Sequence, residues 1–373
     1  MPEFILKEVI NADMHTELEK IGFDKSYAAA ACDKYNYKNI KIYSLTLPQA
    51  NILKQTAISV GADCAVHREV ITGKVETTDA ILGGSLAQLD KIAEKLQHQP
   101  FGLSSLSPTW ERVGVRGQTQ IASILNLTDN SFSDGGHYNT LEKAKIRIQE
   151  LIDEGADIID IGAESTKPHS QAVSPEEQLA KLLPVIRHCE EHSDEAISFS
   201  VDTRSAKVAQ ECIKAGASII NDVSGLEYDP EMADVVAKYG VKVIIQHSQD
   251  APQYESLMDE IYLKLKARID FALSKGIKKE NIIIDPGIGF GKTREHNFEI
   301  LRRVEELYGL GFPVMLGLSR KSLLNMPDAD NHTKDIFTAA LNTLALERKV
   351  DYIRVHNVKL HRQLIDFYGM MIQ

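Results

Sequence analysis

"ISFSVDTRSAKVAQECIKAGASIIN", residues 197–221, decides the architecture. ISFSV is a short apolar run of strand character, and it stops at Asp202. SAKVAQECIKAG carries apolar residues at helical spacing and closes on Gly216, and SIIN then returns to strand character and ends in Asn221. Short apolar strands that alternate with helices form a parallel sheet covered on both faces.

The same unit repeats outward in both directions. Upstream stand QIASILN with helical TLEKAKIRIQELIDEG, and DIIDIG with SPEEQLAKLLPVI, where Ser174, Pro175 and Glu177 spell a capping box. Downstream, SIIN precedes PEMADVVAKYG, VKVIIQ precedes YESLMDEIYLKLKARIDFALSKG, and NIIID precedes EHNFEILRRVEELYG. PVMLGL with TKDIFTAALNTLALER and YIRV with KLHRQLIDFY complete the set. Eight strand–helix units in about 250 residues predict an α/β fold, a closed (β/α)8 TIM barrel. The alternative, an open doubly wound sheet, would carry G-x-G-x-x-G after its first strand, where this chain reads NLTDNSFSDGG.

The barrel is expected over residues 120–373, with a linker at 106–119 inside a stretch rich in Gly, Pro and Ser. Residues 1–105 read as a smaller N-terminal α/β domain to which no chemistry is assigned. There LPQANILKQTAISVG is helical, NIKIYSL and DCAVHREV are strands, and Gly83-Gly84 is read as a turn feeding a helix.

Net charge −11 argues against broad nucleic-acid or membrane-surface binding. No apolar run is long enough to span a bilayer, and MPEFILKEVINADMH lacks a secretory pattern, so a cytoplasmic protein is expected. The four cysteines, Cys32, Cys64, Cys189 and Cys212, form no C-x-x-C pair and are read as reduced structural thiols. DPGIGFGKT, residues 285–293, misses the Walker A pattern because Pro286 stands where glycine is required.

Barrel chemistry sits at the C-terminal strand ends. In order those ends carry Asn126, Glu164 to Lys167, Asp202, Asn221-Asp222, Gln246-His247, Asp285, Ser319 to Ser322, and Arg354 with His356. Each has a bland explanation as a cap, a turn or a solvated loop. Their convergence on one cup is harder to dismiss. Asp202, Asn221 and Asp285 suit a heterocycle rich in N–H donors, whereas Lys321, Arg354 and His356 suit phosphate or a ring carbonyl. Acidic and amide groups are expected at the floor and cations at the lip. No H-E-x-x-H motif or nucleophile elbow occurs, so the site reads as binding and charge-stabilising rather than covalent.

Six motifs in order, ILNLTDNSFSDGG, DIGAESTKP, SVDTRSAKVAQECIKAGASIINDVSG, IIIDPGIGFGKTREHNFEIL, LGLSRKS and YIRVHNV, resemble the dihydropteroate synthase family. The resemblance runs from about residue 120 to 365. It implies condensation of 6-hydroxymethyl-7,8-dihydropterin diphosphate with 4-aminobenzoate, magnesium as cofactor, and a homodimer. It also implies roles: Asp202, Asn221, Asp285 and Lys321 on the pterin; Asn126, Arg354 and His356 on the diphosphate, with Asn126 near the metal; Thr166, Lys167, Phe290 and Ser322 around the aminobenzoate. The chain departs from the family's pattern at Asp129-Asn130 (usually Pro-Asp), Lys167 (arginine), Gln246 (methionine) and Asn357 (aspartate). Two other readings stay open at this point: a catalytically silent pterin-binding module, and a methyltetrahydrofolate:corrinoid methyltransferase.

Overall fold

A computed structural model describes residues 18, 31–99, 102–103, 118–127, 141–164, 173–192 and 197–371. They divide into two units, one ending at Gly114 and the other beginning at Val115.

The first unit contains β1 (Tyr37–Thr46), α1 (Leu47–Ile58), β2 (Asp63–Val66), β3 (Thr77–Ser85) and α2 (Leu86–Leu96). The strands form an antiparallel sheet in the order β1-β3-β2. Leu53 of α1, Leu89, Ile92 and Leu96 of α2, and Leu82 of β3 fill its core. Both helices open on capping boxes, Thr46 with Gln49 and Ser85 with Gln88, which satisfy otherwise orphaned backbone donors. Two expectations fail here. Gly83-Gly84 is no turn: both glycines lie inside β3, and a Cβ at Gly83 would stand 2.6 Å from the Tyr37 hydroxyl and 2.9 Å from Asn39 Oδ1. Gly83 makes room for side chains crossing from β1, and Gly84 lies against Ala62 and Gln88. DCAVHREV is strand only through Val66, because His67 Nδ1 accepts the Glu69 N–H and starts a short 3-10 turn.

The second unit is the barrel. Its strands are β4 (Gln120–Asn126), β5 (Ile158–Gly162), β6 (Ser198–Asp202), β7 (Ile219–Asp222), β8 (Lys242–Gln246), β9 (Ile282–Asp285), β10 (Met315–Leu316) and β11 (Tyr352–Val355). The intervening and final helices are α3 (Leu141–Asp153), α4 (Pro175–His192), α5 (Ala206–Lys214), α6 (Met232–Tyr239), α7 (Leu257–Ser274), α8 (Arg294–Arg303), α9 (Asn331–Glu347) and α10 (Val358–Met371). Every strand pairs in parallel in the order β10-β11-β4-β5-β6-β7-β8-β9. A parallel bridge between Ile284 and Val314 joins the two ends of that series and closes the ring. Ser174 and Glu177 exchange the expected capping bonds at the start of α4.

PVMLGL yields only a two-residue strand. Pro313 has no N–H to give, and the Val314 N–H goes to the Asp351 carboxylate at 2.8 Å instead of to a neighbouring strand. The helix expected over 295–309 breaks after Arg303 and tightens into a 3-10 segment, Val304–Leu310.

Two apolar layers hold the barrel. Strand residues facing outward pack on the helices, with Ile159, Ile161, Ile245 and Ile284 all buried. Inside, Ala122, Ile158, Ile219, Ile244, Ile283 and Met315 form one plug, with Tyr352 packed against it. Alternation then sets the next inward position two residues further along each strand. Those positions are Ile124, Asp160, Asn221, Gln246, Asp285, Gly317 and Arg354, so on five of the seven strands polar chemistry begins where the apolar plug ends.

Candidate active site

Strand register places the site residues side by side. Asn126 is the Cα partner of Gly162, Gly162 of Asp202, Asp202 of Asn221, and Gln246 of Asp285. Gly162 leaves a gap in this row: a Cβ there would lie 3.4 Å from Asn126 Oδ1 and 3.6 Å from Asp202 Cβ.

Arg354 reaches across the barrel. Its Nε donates to Asp160 Oδ2 at 2.6 Å and its Nη2 to Asp202 Oδ2 at 3.0 Å. Asn221 Nδ2 donates to the same Asp160 oxygen at 2.9 Å. The second oxygens, Asp160 Oδ1 and Asp202 Oδ1, are buried with no partner among the described residues. Two buried acceptors are thus left without donors, an arrangement that costs free energy. Burial pushes the Asp202 carboxyl up to about 7; Arg354 pulls it down, and Asp160, Asp222 and Glu164 push it further up. Burial works against the Arg354 charge too, but Asp160 and Asp202 outweigh it and raise its pKa. The division into an acidic floor and a cationic lip therefore fails for Arg354, which lies down among the carboxylates.

The opposite wall is Asp285, Lys321 and the loop between β9 and α8. Asp285 Oδ1 accepts the Gly287 N–H at 2.6 Å. Burial raises its pKa, and Lys321 opposes the rise. Lys321 Nζ donates to the Ile288 carbonyl and stands 4.8 Å from the centre of the Phe290 ring, a cation–π contact. Burial lowers the Lys321 ammonium to about 8, while Asp285 and Asp202 support its charge and Arg354 opposes it. The groups of both walls thus share one electrostatic environment. Ser322, next in sequence, is exposed.

His356 and Ser319 fix each other. The His356 N–H donates to Ser319 Oγ at 3.2 Å, and that hydroxyl lies 2.9 Å from His356 Nδ1. The preceding turn is held from below. Arg320, in the left-handed region at φ +54°, forks onto Asp335 of α9 at 2.7 and 2.8 Å. Asn357 Nδ2 also donates to Asp335, at 3.3 Å. An amide at 357 gives Asp335 a donor where a carboxylate would repel it, a physical reason for that departure.

Several expected residues do other work. Asp222 accepts from Ser224 N and Oγ and from Leu226 N, and so ties its own loop. Glu164 holds Arg204 at 2.9 Å and Gln178 at 3.3 Å. Gln246 is buried and donates to the Val223 carbonyl at 3.4 Å. Thr166, Lys167, Asp129 and Asn130 lie outside the described residues. Sequence reading passed over Asp160. Its signal was a carboxylate interrupting the apolar run DIIDIG two residues before Gly162.

Comparison with known proteins follows the same outline. Residues 122–356 match the model of the family described as "Pterin binding enzyme". A dihydropteroate synthase from Clostridium beijerinckii is 44% identical over 245 residues, covering 65% of this chain and 90% of that protein. A probable bifunctional folylpolyglutamate synthase/dihydropteroate synthase from Halobacterium salinarum is 39% identical over 331 residues. That match covers 83% of this chain, more than the barrel unit alone, so it runs into the N-terminal unit. The chain spans only 40% of that relative's length. A crystal structure of the dihydropteroate synthase from Clostridium difficile in the presence of pteroic acid is 41% identical, with TM-score 0.64. It covers 68% of this chain and 97% of its own.

Proposed function

Because the chain belongs to the pterin-binding enzyme family, among its dihydropteroate synthases, we propose that it condenses 6-hydroxymethyl-7,8-dihydropterin diphosphate with 4-aminobenzoate. The products are 7,8-dihydropteroate and diphosphate, and the enzyme is a transferase of folate biosynthesis. The observation that carries this reading is that Asp160, Asp202, Asn221 and Arg354 meet in one hydrogen-bonded set, while Asp202, Arg354 and Asp285 all act on the charge of Lys321. A bicyclic ring with several N–H donors and one ring oxygen answers both walls at once.

In this reading Asp202, Asn221 and Asp285 hold the pterin edge and Lys321 its oxygen. Asn126, Arg354 and His356 hold the diphosphate, and Thr166, Lys167, Phe290 and Ser322 surround the aminobenzoate. The C–O bond to diphosphate breaks as its charge is neutralised, and the electron-rich pterin spreads the positive charge left on the exocyclic methylene. The arylamine nitrogen then forms the new C–N bond and gives its surplus proton to water. Positioning and charge supply the catalysis, and no side chain is required as a covalent intermediate.

Magnesium fits as a partner of the substrate rather than of a protein cage. Among the described residues no cluster of three His, Cys, Asp or Glu side chains could hold a metal ion. Asn126 would offer it one neutral oxygen beside those of the diphosphate and water, and the ion would neutralise departing charge. No helix among the described residues is long and apolar enough to cross a membrane, and a cytoplasmic location follows the same proposal. A homodimer would cover the exposed Ile336 and Leu344 of α9 and Phe367 and Met370 of α10, side chains that otherwise leave apolar surface in water.

The test is direct: purified protein, pterin diphosphate, 4-aminobenzoate and magnesium, with diphosphate and dihydropteroate followed together. Equal release of both products is expected. Pterin binding without turnover would leave the silent-module reading instead.

A further inference from the structure

The loop from Asp285 to Thr293 is clamped to the segment after β8 by contacts that the chemistry above does not use. Lys292 Nζ lies 3.0 Å from His247 Nδ1 and donates to the Phe290 carbonyl at 2.9 Å. His247 is itself fixed, since its N–H donates to the Asp285 carbonyl at 2.8 Å and its side chain is buried. Tyr254, its ring edge-on to His296 at 5.2 Å, donates its hydroxyl to the Gly291 carbonyl at 3.1 Å. The loop backbone comes so close that side chains are excluded. A Cβ at Gly287 would stand 1.8 Å from the His247 carbonyl oxygen, and one at Gly291 2.1 Å from that of Gln249. Both glycines have positive φ, +70° and +61°.

We propose that Lys292 is a positioning residue: bridging His247 to the Phe290 carbonyl, it sets the Phe290 ring for the aminobenzoate. The cation reaches no substrate. It acts through the backbone of the residue that carries the Phe290 ring, whose carbonyl it holds. Burial lowers the Lys292 ammonium to about 7 and holds His247 down at about 3, and the neutral imidazole accepts from the ammonium in the tautomer that carries its proton on Nε2.

This inference rests on the reading of Phe290 as a wall of the aminobenzoate site, so the experiment separates the two. Steady-state kinetics of Lys292→Met, Lys292→Arg, Tyr254→Phe and Phe290→Ala are compared with titration of pterin diphosphate in the absence of the arylamine. Lys292→Met should raise KM for 4-aminobenzoate about tenfold, the scale of one lost charge-assisted hydrogen bond, with pterin diphosphate affinity within about twofold of normal. Lys292→Arg, which keeps a donor and a charge, should recover most of the loss. Tyr254→Phe should raise the same KM about twofold to threefold, and it tests the clamp even if Lys292→Met fails to fold. Equal weakening of both substrates, or an unchanged arylamine KM in Lys292→Met or Tyr254→Phe, overturns the positioning role. An unchanged arylamine KM in Phe290→Ala overturns the assignment of the wall itself.

Discussion

The two walls of the cup are built by opposite means. On the β5–β7 and β11 side, charged side chains hold one another: Arg354 bridges Asp160 and Asp202, and Asn221 completes the set. All four stand on strands. On the β9–β10 side, side chains hold backbone: Lys321 takes the Ile288 carbonyl, Lys292 the Phe290 carbonyl, and Asp285 the Gly287 N–H. The first wall is a preformed recognition surface on a rigid scaffold. The second is a loop whose shape depends on the cations beneath it. A flat ligand clasped between them would meet fixed side chains on one face and an adjustable loop on the other.

The largest effect that would break this contrast comes from Arg354→Met. Removing the cation leaves two buried carboxylates facing each other, and a loss of about 3–5 kcal/mol in urea unfolding is expected. A loss under about 1 kcal/mol would mean that the carboxylates do not depend on Arg354. Lys321→Ala should spare most of the stability and lower kcat by about 100- to 1,000-fold, the usual cost of one electrostatic group at a reacting centre. Unchanged kinetics would remove Lys321 from the site.

The smallest effect is in pH. With its carboxyl raised from 3.8 to about 7, Asp202 is a full acceptor only above that value. Pterin diphosphate affinity should therefore fall about tenfold per pH unit as pH drops below about 7, in a limb that Asp202→Asn abolishes. The linkage sign is opposite for folding. Between about pH 4 and 7 the folded state keeps a proton that the unfolded chain has released, so stability declines as pH rises through that window. A binding curve flat from pH 5 to 8 would place Asp202 outside the ligand's reach.

Much of the barrel could be read in advance because its strands are short apolar runs and its helices carry their own period, several with a side-chain cap. Where the reading failed, a neighbour distant in sequence made the decision. Gly83-Gly84 looks like a turn until β1 pairs along it and Tyr37 and Asn39 arrive over Gly83. PVMLGL looks like a full strand until Asp351 takes the Val314 N–H. Asp160 hid inside an apolar strand because nothing in DIIDIG says which side of the sheet faces the axis. The closed ring supplies that fact, by placing Ile158 in the interior plug two residues below it.

The sequence by itself determined the alternation of strands and helices, the polar residues at or just beyond the strand ends, and the family to which those residues point. All are local patterns, encoded by period, propensity and order along the chain. Only the tertiary structure decided the pairing of charges: that Arg354 lies between Asp160 and Asp202 instead of at the rim, and that Lys292 meets His247. The reason is that electrostatics acts on distance in space, and residues separated by 194 positions, as Asp160 and Arg354 are, come within 2.6 Å only when the barrel closes.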